Sequence, residues 1–188
     1  MLIAAILIFI LTLALYVYVL TALGKRRKFA LLFVFAVSPF FAYKAFQFHW
    51  YAQALPPEIK ISYPIAAGEE SGFREGCSVA VYKLTASSLE AIQKHGLPFF
   101  DRATQARGYS KPSDRNYHYY TYKPWKETPI PEGWGGEGSL FMCSVISSSL
   151  EHEIAVAAKQ SGAFYTTKDE AQLLVIPSLG YVVFSSYG

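Results

Sequence analysis

The stretch Cys77–Gly96, CSVAVYKLTASSLEAIQKHG, carries two periodicities in succession. Cys77–Leu84 is β-branched and alternating, which predicts a strand. Ser87 then stands three residues before Glu90, the spacing of a capping box. Leu89 and Ile92 supply an apolar helical face, and Gly96 supplies a stop. The stretch is a short β-α unit.

Much the same grammar returns later. Leu140–Ser147, LFMCSVIS, predicts a strand, and SSLEHEIAVAAKQSG repeats the start signal with Ser148 as cap and Glu151 in the box position. Leu150, Ile154, Ala157 and Ala158 lie along one side, and Gly162 is the stop. CSV and SSLE occur in both units, but the Cys-to-Ser spacing differs, and capping boxes recur for physical reasons without common descent.

Between the units, Asn116–Lys123, NYHYYTYK, predicts a strand with aromatic residues on both faces. Pro124–Gly138 is too rich in Pro and Gly for regular structure, yet carries Trp125 and Trp134. Ile59–Ile65 upstream is β-prone, while Leu55-Pro56-Pro57-Glu58 and Ala67–Gly76 read as tether and linker. Downstream, Ala163–Thr167, Gln172–Ile176 and Tyr181–Tyr187 read as strands, the last two joined through Pro177–Gly180 as a hairpin. The fold class expected is α+β, a mainly antiparallel sheet with two helices packed on one face.

The N-terminal region has a different composition. Leu2–Leu23 is an apolar run, and Phe29–Phe41 is a second that continues through Lys44, Gln47 and His49 in an aromatic setting. Lys25, Arg26, Arg27 and Lys28 lie between them. Residues 1–54 hold five basic residues and no acid, so the net charge of +3 divides into +5 here and −2 for residues 55–188. This pattern predicts a transmembrane helical hairpin over residues 1–53, with spans about 2–23 and 29–51 and a cytoplasmic loop at 24–28. Residues 54–76 are then tether and linker, and 77–188 an extracytoplasmic α+β domain. The expected location is a bacterial inner membrane, with the N-terminus and C-terminal domain periplasmic and the lipid bilayer as one partner. Cys77 and Cys143 both fall in the exported part, where a disulfide is permitted; two buried thiols are the alternative.

Little in the chain points to catalysis. His49, His95, His118 and His152 are scattered. His152 has Val156 four residues on, so no HExxH pair exists, and neither cysteine belongs to a CxxC. The glycine-rich run at 133–138 lacks the Lys-Ser/Thr of a phosphate loop. No metal, cofactor or nucleic acid is expected. One enzyme sketch uses Glu132 or Glu137 with His118 on a cell-wall or sugar substrate stacked on the tryptophans, with weak hydrolase potential.

A binding module is the stronger expectation. Tyr109, Arg115, Tyr117, Tyr119, Tyr120, Tyr122, Trp125 and Trp134 concentrate the residue types that anchor protein interfaces. A small anchored α+β domain without catalytic residues is similar in layout to bacterial immunity proteins that neutralise periplasm-acting toxins, which implies a protein partner in the periplasm. The alternative is an accessory or sensory subunit of an envelope membrane complex, in which the helices themselves make contacts.

Overall fold

The computed structural model describes residues 18, 25–71, 76–109, 121–131, 146–168 and 170–187. Among them are three α-helices, α1 (Lys25–Ala52), α2 (Ala86–His95) and α3 (Ser148–Ala158), and one antiparallel six-stranded sheet. Its strands are β1 (Ile61–Ser71), β2 (Gly76–Leu84), β3 (Lys126–Glu127), β4 (Phe164–Lys168), β5 (Ala171–Ile176) and β6 (Tyr181–Tyr187), in the spatial order β1-β2-β6-β5-β4-β3. The chain divides into two compact units, residues 1–46 and 47–188.

In the second unit the sheet is covered on both faces. One face presents Ala80, Tyr82, Leu173, Val175, Val182 and Phe184 to the end of α1, to α2 and to the loops around Phe100 and Trp125. The other presents Val79, Val81, Leu174, Ile176 and Val183 to Ile154 and Ala158 of α3. The period-2 alternation of β2 and β6 therefore feeds two cores. Central β5, AQLLVI, is buried at all six positions, and its nearly unbroken apolar run is what a strand with both faces covered requires. The expectation of two helices on one face is corrected: α2 and α3 lie on opposite faces.

Both expected helices form, each starting ahead of its expected cap. α2 is capped by Thr85, whose Oγ1 accepts from Ser88 N at 3.2 Å, two residues before the expected Ser87. Ser88 is buried and its Oγ accepts from Lys60 N at 2.9 Å, so the serine run serves a tertiary contact as well. Gly96, at φ +57°, closes the helix as expected. α3 starts after Ser147, one residue before the expected cap, with no side-chain capping bond, and it ends at Ala158, ahead of the expected stop at Gly162. The hairpin of β5 and β6 turns through Leu179 N to Ile176 O and Gly180 N to Pro177 O. Gly180 has φ +66°, and a Cβ there would stand 3.1 Å from Lys83 Nζ, which donates to Leu179 O.

The edge strand β1, Ile61–Ser71, takes in most of the β-prone segment Ile59–Ile65 and runs on into residues from Ala67 that the sequence presents as linker. It pairs with β2 through register shifts on either side of Tyr63 and Pro64. Pro64 cannot donate to a neighbouring strand, and the irregularities distort the edge, both common protections of an exposed edge. The expected strands at 116–123 and 140–147 lie largely outside the described residues; Thr121 forms an isolated bridge with Gln105.

The membrane expectation is corrected as well. Among the described residues, no helix is long and apolar enough to cross a membrane. The first expected span lies outside them, and the second falls within α1. Gln47–Ala52 of that helix belongs to the folded domain, where Gln47, Tyr51 and Ala52 are buried. The exposed stretch Leu32–Phe46 rises roughly 22 Å against a bilayer core of about 30 Å, and it contains Ser38, Pro39 and Lys44. Ser38 Oγ donates to Phe35 O at 3.3 Å, offsetting the donor that Pro39 lacks. The inner-membrane, two-span localisation is therefore overturned.

Candidate functional site

A dense set of polar contacts surrounds the segment that follows α1. The helix closes in tight turns, Gln53 N to Trp50 O, Ala54 N to Tyr51 O and Leu55 N to Ala52 O, at 3.1 to 3.2 Å. Pro56 and Pro57 then prevent it from continuing. Such a segment leaves carbonyls without helical donors, and here other elements supply them. Gly108 N donates to Gln53 O at 3.0 Å, Tyr122 Oη to Ala54 O at 2.9 Å and Arg107 N to Leu55 O at 2.8 Å.

The Arg107 side chain is the centre of this clamp. Its Nε donates to Leu55 O at 3.2 Å, and its Nη2 donates to Pro56 O at 3.2 Å and Ile59 O at 2.9 Å. A planar guanidinium fork suits several carbonyls at once, which a lysine ammonium would not match. Burial lowers the Arg107 pKa from its ordinary value, opposed by its interactions with Tyr82 and Glu58. The group remains cationic throughout the physiological range.

Apolar burial locks the same segment. Leu55 and Ile59 are fully buried, Ala54 nearly so. Behind them Phe100 stacks on Trp125 with ring centroids 4.4 Å apart, and Trp125 Nε1 donates to Ala103 O at 2.7 Å. That bond fixes the loop carrying Arg107, as does Tyr122 N to Thr104 O at 2.7 Å.

Two tyrosines hold the last turn of α1. Tyr82 Oη, from β2, donates to Phe48 O at 2.7 Å, and Tyr51 Oη donates to Glu69 Oε2 of β1 at 2.7 Å while its ring packs against Phe184. Burial, and then the bond to Glu69, push the Tyr51 pKa up to about 12. Burial also raises that of Tyr82. Both hydroxyls are therefore held as donors at neutral pH.

No protein family, curated protein or solved structure matches this chain.

The residues expected to form an interaction surface separate. Tyr122 and Trp125 are core residues, 4% and 6% exposed, whereas Tyr109 is 36% exposed. Arg115, Tyr117, Tyr119, Tyr120 and Trp134 lie outside the described residues, as do His118, Glu132 and Glu137 of the enzyme sketch. Lys25, Arg26, Arg27 and Lys28 form the first turn of α1. Cys77 is disulfide-bonded, and Cys143 lies outside the described residues. Among the described residues no group of three His, Cys, Asp or Glu could hold a metal.

Sequence reasoning missed Arg107, Tyr51 and Tyr82. Tyr82 was accessible, because alternation within β2 puts it on the same face as Ala80. Arg107, in a loop without periodicity, carries no such signal.

Proposed function

We propose that this chain is a non-catalytic accessory subunit of a larger protein assembly, with α1 as its contact element and residues 47–188 as the folded body. The observation that carries this reading is the clamp on residues 53–59. In a domain merely displayed on an anchor, as in the immunity layout, the connecting segment needs no partners and the anchor is interchangeable. Here Tyr51 and Ala52 of α1 and Ala54, Leu55, Pro56 and Ile59 after it are buried in the domain, so exchanging the helix would remove part of its core.

Exposure along α1 supports the same reading. Leu32, Phe33, Val34, Phe40 and Phe41 are 48–69% exposed, a concentration of large apolar side chains that marks interaction surfaces. Among the described residues of 47–188, the exposed large apolar side chains are scattered: Trp50, Tyr63, Tyr109 and Val156.

The test is site-specific photo-crosslinking in the native host, with the reactive residue at Phe33 or Phe41 in one set and at Tyr63 or Tyr109 in the other. The accessory reading expects one discrete protein adduct from the helix positions. Adducts confined to Tyr63 and Tyr109 would return the function to the domain surface and favour toxin neutralisation.

A further inference from the structure

We infer that Arg107 and Glu58 form a two-position switch within the clamp, independent of whether α1 binds a partner. Glu58 lies between two residues whose carbonyls Arg107 holds, Pro56 and Ile59 by way of Pro57. Its Oε2 is buried and has no hydrogen-bond partner among the described residues. A buried acceptor left in that state is costly, more so when it is charged. The guanidinium that attracts it is already committed to three backbone carbonyls.

The two demands compete for one donor group. In the observed position Arg107 satisfies Leu55, Pro56 and Ile59 and leaves the carboxylate oxygen unserved. In the second position the fork turns onto the Glu58 carboxylate in a charge-assisted pair, and the carbonyls of Pro56 and Ile59 lose its side-chain bonds. The first arrangement leaves one carboxylate oxygen unserved and the second frees two carbonyls, a loss that the charge-assisted pair with Glu58 offsets. The backbone bonds Arg107 N to Leu55 O and Gly108 N to Gln53 O loosen in the second position, because the loop must shift to let the fork turn.

The experiment uses full-length protein and two readouts. Relaxation dispersion on the Arg107 Nε–H and on the Arg107 and Gly108 amides is expected to show exchange on the microsecond to millisecond scale. In Glu58→Gln, which removes the charge competing for the fork, that exchange disappears. Hydrogen-exchange protection at Arg107 and Gly108 then rises about tenfold relative to amides of β5 and β6. No dispersion in the wild-type protein overturns the switch, and that measurement stands even if the variant fails to fold. A uniform rise in protection across the domain also overturns it, leaving Glu58 as a static burial defect, as does no change at the two amides.

Discussion

Two neighbouring segments reverse what their compositions suggest. Leu32–Phe46 is among the most apolar stretches described, yet its side chains are largely exposed. Gln53–Ile59 holds two prolines and a glutamate and has the composition of a tether, yet Ala54, Leu55, Pro56 and Ile59 are buried and its carbonyls are held by Gly108, Tyr122 and Arg107. Hydropathy reports what a side chain prefers. What decides a segment's place is whether its backbone polar groups find donors and its apolar groups find a surface.

The largest effect that sharpens this contrast is expected at Leu55. Leu55→Ala should cost about 3–4 kcal/mol in urea unfolding, because it opens a cavity in the core, whereas a leucine in a solvated tether would be nearly neutral. Arg107→Met should cost about 3 kcal/mol, since it strips side-chain donors from three carbonyls at a buried site. Either variant behaving like the wild type would break the comparison from the clamped side.

Tyr122→Phe should cost about 1 kcal/mol, the ordinary value of one buried hydrogen bond, here that to Ala54 O. The smallest effect belongs to the exposed helix. Phe33→Ser combined with Phe41→Ser should change domain stability by less than about 0.5 kcal/mol while abolishing the adduct formed from a reactive residue placed at the exposed Phe40.

Tyr51 adds a pH dependence with a definite sign. Its folded pKa of about 12 lies above the ordinary tyrosine value of 10.0, so the protonated hydroxyl contributes stability that is fully present below pH 10. That contribution is lost as pH rises from about 10 to about 12. Alkaline unfolding followed at constant urea should show a shallower loss for Tyr51→Phe than for the wild type.

Several features of the fold were legible in the sequence. Alternation gave away β2 and β6, Gly96 the end of α2, and Pro177–Gly180 the hairpin, because each depends on local chemistry. The side of the sheet on which each helix packs was not legible. The apolar faces of SSLEAI and SSLEHEIA look alike, and β2 offers an apolar set to each side, so only tertiary contacts choose. The clamp was hidden for a related reason. A proline pair announces that a helix stops, but whether the freed carbonyls meet water or a guanidinium some fifty residues away depends on long-range folding. For the candidate surface, aromatic content marked Tyr122 and Trp125 without telling a core strand from an exposed one.

The central claim is that the segment leaving α1 is part of the domain. A chain beginning at Lys60 tests it most directly, because it lacks Tyr51, Ala52, Ala54, Leu55 and Ile59 from the core and leaves Arg107 without its carbonyl acceptors. Near-ultraviolet circular dichroism during thermal unfolding is the measurement. The account predicts a weak signal without a cooperative transition, against a cooperative one for a chain beginning at Gln47. A cooperative transition at the same temperature in both would contradict it and restore residues 53–59 to the role of a tether.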